Sequence, residues 1–541
     1  MATPTPDEHN DRKPTLAYVE DKEAPISSKD AAMIDGDVHL LDHSGHVRHI
    51  PIPSVSPRDP LNWSKQRKIL VLIAICWYSV MSLSLVSGIG PVLPTFMHYY
   101  IPTGTSPTDV LKLVTWPGLF VGLGNFVFLP LALVIGRRPT FLLSSLMLLG
   151  ATIGAALSTS FHSNLTARCF QGLGAGITES LLPLIITDMT FTHERGFYFG
   201  IYWTTQNILS NVLSIASSYQ ASSLGWRWYY GIFAVINAFG ILLAVLFVPE
   251  TRFNRPAANI NGHVFVTDEY GVQRILSDDE ALEIQQEMDL DMTPLSFGQG
   301  MRLWNGVTPG GWGMAGRSYV SMLQCLTSPG MLWAVIWAGV MLAIYIGLSL
   351  TYANILIGPL GWPEANAGLI QIGQIPAGIA ALVFTGKMMD IVAIRNAKAN
   401  NGIHTPEARL PVTILPSLVG IAATIVYGFA DDEPTKYGWP TVVIMNSIFC
   451  FSFVSSLIVV TTFGVEVCPL AAGPALVIAV GLKNVVAFAI TFGISDLLNT
   501  RPGKVTYGIL AGILAGASLL AIPVYFFNAK WRRMTSGRVH N

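Results

Sequence analysis

The chain has 541 residues, of which 51% are hydrophobic and only 12% charged, with a formal net charge of -1. Soluble domains carry about 25% charged residues, so a chain this long cannot cover itself with polar groups, and a single soluble domain is excluded. The near-zero balance provides no basic stripe to neutralise phosphates, which argues against a nucleic-acid partner.

In chain order, residues 1–68 come first and hold 20 of the 65 charges. They are polar, proline-punctuated and without an apolar core of signal-peptide length, and they read as a disordered cytoplasmic tail. The tail histidines His39, His43, His46 and His49 have no fixed ligand geometry and read as a solvated stretch, not a metal site. Apolar runs of spanning length, about 20 residues, follow at 69–92, 110–134, 141–160, 165–187, 197–219 and 229–248. Residues 249–328 carry another 15 charges, ten of them acidic, and read as a cytoplasmic linker. Within it, His263–Thr267 and Val272–Leu276 flank a turn as a small hairpin. Residues 277–290 begin at Ser277 like a capped acidic helix. Six further apolar runs occupy 330–354, 366–388, 411–430, 440–462, 475–495 and 507–528, before a short C-terminal tail at 529–541. The expected fold is an all-α polytopic membrane protein, with twelve transmembrane helices in two pseudo-symmetric six-helix bundles, 69–248 and 329–528.

Basic residues set the orientation. Lys65, Arg67, Lys68, Arg137, Arg138, Arg195, Lys387, Arg395, Lys398, Arg409, Lys530, Arg532 and Arg533 fall on one side of the spans. That side is expected to be cytoplasmic, with both termini and the linker. The sequon Asn164-Leu165-Thr166 abuts a span too closely to serve as a glycosylation site. Cys76, Cys169, Cys325, Cys450 and Cys468 have no disulfide or metal-ligand spacing and read as small apolar residues.

Several short patterns recur at matching topological positions. Asp59-Pro60-Leu61-Asn62-Trp63 precedes the first span, and Gly136-Arg137-Arg138-Pro139 forms the turn after the second. Arg168, Gln171, Gly172, Gly174 and Gly176 give R-x-x-Q-G-x-G-x-G in the fourth span. Asp188 and His193-Glu194-Arg195-Gly196 follow it, Gly225-Trp226-Arg227-Trp228 and Pro249-Glu250-Thr251-Arg252 bracket the sixth, and Pro406-Glu407 and Arg409-Leu410 precede the ninth. Across residues 59–530 these motifs resemble the major facilitator superfamily, nearest its fungal twelve-span drug:proton antiporter-like branch. The loop after span 8 keeps Gly386, Asp390 and Arg395 of the family's loop motif, whereas the first copy has Leu129 and Leu133 where Gly and Asp would stand. Such echoes fit parallel repeats. Span 5 departs from the family antiporters: Ser210–Ile215 stands where a glycine-proline motif often lies.

Ionisable side chains inside spans are costly and by default functional. Arg168, Glu179 and Lys483 stand out. Arg168 and Glu179 are 11 residues apart, about 16 Å along a helix at nearly one azimuth, and the resemblance turns that face to a central cavity. Two readings stay open. Glu179 and Lys483 form a buried ion pair locking the halves, or Glu179 carries a proton while Arg168 and Lys483 attract an anionic or polar substrate. Trp77, Tyr78, Gln171, Tyr345 and Asn446 are further cavity candidates, with helix packing as the alternative. Gly136, Arg137, Arg138, Asp188, Gly386 and Asp390 are candidates for gating at the cytoplasmic face.

The function expected is secondary transport of a small molecule by alternating access. A proton gradient drives it, since no nucleotide-binding or cofactor motif is present, and export of a xenobiotic or secondary metabolite is the first reading. The alternatives are uptake of a polar or anionic nutrient, such as an organic acid, and a transport-inactive membrane sensor. No span carries a catalytic or metal-ligand pattern, so an enzyme is not expected. The setting expected is a monomer in the lipid bilayer of the plasma membrane.

Overall fold

Eleven helices are long and apolar enough to cross a membrane in a computed structural model of the protein, which describes residues 38–39, 56–253, 264–267, 273–276, 300–304, 306–307, 310–401, 403–468 and 471–535. They are spans 1 (Lys65–Ser87), 2 (Pro107–Ile135), 3 (Arg137–Ala156), 4 (Phe161–Met189), 6 (Trp226–Phe247), 7 (Pro329–Ile357), 8 (Glu364–Ala399), 9 (Pro406–Asp432), 10 (Pro434–Val467), 11 (Ala472–Ile494) and 12 (Gly503–Arg532). Serine caps start several: Ser64, Ser106 and Ser160 each accept a backbone N–H three residues on, satisfying a donor that the first helical turn leaves open.

Span 5 is the helix Arg195–Leu224, 30 residues long. It lies outside the apolar set because its middle carries Gln206, Asn207, Ser210, Asn211 and Ser214. These polar groups face protein rather than lipid. Asn207 Nδ2 donates to Cys450 Sγ at 3.3 Å, and Ser218 Oγ to Ala365 O at 2.9 Å, both partners lying in the second half.

Packing repeats with a shift of six spans. Span 1 packs on 5 as span 7 does on 11, span 3 on 6 as 9 on 12, and span 3 on 4 as 9 on 10. The two bundles meet where span 2 contacts span 11 and where span 5 contacts spans 8 and 10. One continuous buried cluster runs through both.

Three features refine the sequence reading. The linker contains a helix, Gly311–Leu326, which no periodicity had suggested; Tyr319 ties it to span 2 by donating to Phe126 O at 2.9 Å. The expected linker hairpin is present, with strands Val264–Thr267 and Gln273–Leu276 antiparallel in the register Val264↔Leu276. In the segment read as a disordered tail, Val38–His39 pairs antiparallel with Ile403–His404 in the loop between spans 8 and 9. His43, His46, His49 and the expected helix at 277–290 lie outside the described residues. None of the five cysteines is in a disulfide. Asn164 of the sequon is buried, with its amide hydrogen-bonded to the Tyr100 and Tyr230 hydroxyls.

Candidate functional site

Span 4 is broken beside its buried acid. Its α-helix ends at Ala175, a 3-10 turn covers Gly176–Thr178, and Ser180 leaves helical geometry at φ -127° before the helix resumes at Leu181. Glu179 sits in that interruption. Facing it, span 11 takes a π-helical turn over Val477–Gly481, immediately before Lys483 and Asn484. A π turn holds an extra residue and offsets the helix that follows. Two consecutive side chains of the second bundle thereby reach one carboxylate of the first. Lys483 Nζ donates to Glu179 Oε1 and Asn484 Nδ2 to Oε2. Both charged residues are buried, Glu179 at 6% exposure and Lys483 at 1%. Of the two readings left open by the sequence, the ion pair is what the geometry forms.

The pair borders a cavity of about 150 Å3 between the bundles. Its walls are the polar edge of span 5 (Gln206, Asn207, Ser210, Asn211, Ser214), the aromatic groups Trp203, Tyr345, Tyr352 and Phe453, and Glu179 with Asn484 at one end. Polar anchors fix two of the rings: Trp203 Nε1 donates to Thr461 Oγ1 at 3.0 Å, and Tyr345 OH to Gln374 Oε1 at 2.9 Å. Tyr345 also stacks on Phe453 with centroids 4.6 Å apart. Of the sequence candidates, Glu179 and Tyr345 line this cavity.

The others lie elsewhere. Arg168 is fully buried within the first bundle, where its guanidinium donates to the Leu113, Leu85 and Val86 carbonyls at 2.7, 3.2 and 2.8 Å and to Gln171 Oε1 at 3.4 Å. The 16 Å, single-azimuth estimate assumed an unbroken helix, and the interruption at 176–180 removes that premise. Tyr78 donates to Gly174 O at 3.0 Å and Trp77 Nε1 to Ile236 O at 3.4 Å, contacts between neighbouring spans of one bundle. Asn446 is buried in span 10, with its Nδ2 unbonded. Lys483 reaches the carboxylate without lining the cavity.

At the end of the bundles that carries the basic loops, the two loop-motif copies do different things. Gly136 has φ +105°, a conformation that favours glycine, and it breaks the chain between spans 2 and 3. The N–H groups of Arg137 and Arg138 donate to Glu250 Oε1 and Oε2 at 3.0 and 3.1 Å, a carboxylate at the positive end of span 3. The Arg137 Nε lies 3.6 Å from Asp188 Oδ2, which also accepts from Thr251 Oγ1. Arg138, buried, donates to the Ala244 and Val245 carbonyls of span 6, to Val248 O just after it, and to Met301 O and Arg302 O in the linker. All these contacts stay within the first bundle and its linker. Asp390 instead crosses. Its Oδ1 and Oδ2 accept from Gly196 N at 3.2 Å and Phe197 N at 3.0 Å, the first turn of span 5 in the other bundle. Gly386 packs beside it, 3.7 Å from the Gly200 Cα by its would-be Cβ, so span 8 lies close on span 5. Arg409 stands behind Asp390 at 3.5 Å, held by a two-pronged pair with Glu466 at 2.6 and 2.7 Å, and His404 Nε2 lies 3.3 Å from the same carboxylate.

Sequence reasoning missed Asn484, Trp203, Phe453 and Glu466, and did not assign a role to Glu250. For Asn484 the signal was adjacency to a buried lysine; for Glu466, an acid four residues beyond the apolar run 440–462. The span 5 cavity wall was visible only as the absence of a family motif.

The family model described as Major Facilitator Superfamily matches residues 75–465. An uncharacterized MFS-type transporter of Schizosaccharomyces pombe is 23% identical, with 92% of this chain and 90% of that protein covered. Among solved structures, the human organic anion transporter MFSD10 aligns with a TM-score of 0.55 at 13% identity, covering 85% of this chain and 100% of that one. The proton:xylose symporter XylE aligns at 0.54 and 16% identity, over 86% and 96%.

Proposed function

Since this chain belongs to the major facilitator superfamily and so transports a small substrate across a membrane, we propose that it is a proton-coupled antiporter. It exports a small organic molecule, a xenobiotic or secondary metabolite, by alternating access. The observation that carries this reading is the Glu179 carboxylate, placed at a helix break, facing the cavity and tied across the bundle interface to Lys483 and Asn484. Interrupted helices at the midplane are where secondary transporters place coupling sites. A proton on Glu179 removes the charge that holds Lys483, and loss of that inter-bundle tie frees the halves to rock. One carboxylate that releases its proton before engaging substrate couples the two in exchange, which is antiport. With protons driven inward across a plasma membrane, exchange moves substrate outward.

In this reading the basic end and both termini are cytoplasmic, as the positive-inside bias requires. Asp390 and Gly386 gate that end, while Gly136, Arg137, Arg138 and Asp188 form the rigid frame of the first bundle. Arg168 and Gln171 hold that frame together nearer the opposite end. The test is flux in proteoliposomes loaded with candidate compounds under an imposed pH gradient. Wild type is expected to show gradient-driven flux and Glu179→Gln to lose it. Equal flux in the two proteins refutes the assignment.

A further inference from the structure

Resting on the antiport reading, we propose that the substrate is a small organic monocation whose ammonium binds the Glu179 carboxylate. Among the described residues that line the cavity, Glu179 carries the single formal charge. Neither buried cation expected from the sequence to draw in an anion is free, and Lys483 is already paired with Glu179 itself. Arg168 is enclosed by the Leu113, Leu85 and Val86 carbonyls, and Lys483 approaches the carboxylate from span 11 without lining the cavity. An anion entering this space would meet a carboxylate and no free cation.

The carboxylate has capacity to spare. Ionised, it offers about four lone-pair sites, and the contacts from Lys483 and Asn484 use one on each oxygen. An ammonium supplies up to three donors, suited to the remaining sites and to the amide oxygens of Gln206 and Asn211, which line the same cavity from span 5. The aromatic walls fit the same charge. Trp203 and Tyr345 have their N–H and O–H occupied, at Thr461 and Gln374, so what they present is ring. Aromatic faces attract cations through the ring quadrupole. Size narrows the class further: a cavity of about 150 Å3 is the scale that holds one benzene-sized molecule.

The test uses the full chain in lipid nanodiscs and three probes of one shape: benzylamine, benzyl alcohol and benzoate, titrated at pH 7 by calorimetry. Benzylamine is expected to bind at least tenfold more tightly than benzyl alcohol, with benzoate weakest. In Glu179→Gln/Lys483→Gln, which removes both charges together and leaves neither ion unpaired, the benzylamine preference is expected to shrink below threefold. Near-ultraviolet circular dichroism checks that the double variant is folded. If it is not, competition in wild type supplies the readout: phenethylamine, a second monocation, is expected to displace benzylamine, and benzoate at the same concentration is not. Benzoate binding as tightly as benzylamine, equal affinity for benzylamine and benzyl alcohol, or no saturable benzylamine binding overturns the proposal. Failure here leaves pH-gradient-driven flux in wild type intact, whereas failure of the antiport reading abolishes that flux with any compound.

Discussion

Removing the charge of Asp390 is expected to open the basic end. In the closed arrangement its carboxylate accepts two backbone N–H groups from the first turn of span 5 and faces Arg409. Asp390→Asn keeps the shape and one acceptor oxygen but loses the charge at the helix N-terminus. That favourable placement contributes about 0.3–2 kcal/mol, and a hydrogen bond to a charged group about 1.5–3 kcal/mol. Its side chain is 15% exposed, so water replaces part of what is lost. A net penalty of about 1–2 kcal/mol on the closed state follows, a factor of roughly 5–30 in the equilibrium. Starting from an open form near 1%, a minor population within the usual range, the variant would reach roughly 5–25% open. Nitroxides at Gln66 and Ala399, exposed positions on the two bundles at this end, would report it as a second, longer distance in pulsed dipolar EPR. Arg138→Ala is the control, because the Arg138 contacts stay within one bundle and its linker; it should lower stability without adding the long distance. The reasoning is refuted if Asp390→Asn leaves the distribution unchanged, or if Arg138→Ala shifts it equally.

Stability should separate the buried charges. Glu179→Gln leaves Lys483 charged and unpaired at 1% exposure, which should cost about 3–5 kcal/mol and appear as a lower midpoint in thermal unfolding followed by tryptophan fluorescence. Adding Lys483→Gln should recover most of that loss, and a double variant no more stable than the single one would contradict the pair. Arg168→Ala strips partners from three buried carbonyls and should destabilise by about 3 kcal/mol or more. In protein that survives, cavity ligand affinity should stay within twofold of wild type; a tenfold loss would place Arg168 in the binding site after all.

The architecture was legible because hydropathy and basic-loop bias act residue by residue and survive without knowledge of packing. Span 5 fell within a run recognisable by length although its polarity kept it below an apolar threshold, and its neighbours explain why such a helix is tolerated. The site was half legible. A buried acid and a buried lysine at similar depth announce themselves in sequence, and so Glu179 and Lys483 could be named. Which side chains face the cavity could not be read, because helical azimuth is lost at each irregularity. The 3-10 turn at Gly176–Thr178 separates Arg168 from Glu179, and the π turn at Val477–Gly481 sets the direction of Lys483. Local sequence carries no strong signature for either.

The two loop-motif copies suggest how the gate and the central pair cooperate. The first copy has Leu133 where the motif would place an acid, and the carboxylate near its turn comes from Glu250, bonded to span 3 of its own bundle. The second copy keeps Asp390 and uses it across the interface. Buried or half-buried charge therefore ties the bundles at two levels: Glu179 to Lys483 in the middle, and Asp390 to span 5 at the basic end. Opening that end must break both. Neutralising Glu179 releases the first and leaves the Asp390 contact as the charged tie at the basic end, and that contact is worth little more than a minor-state free-energy gap. In the proposed antiport cycle, a proton on Glu179 would thus act on the Asp390 contact with no continuous wire between them, because the two ties hold the same rigid-body motion.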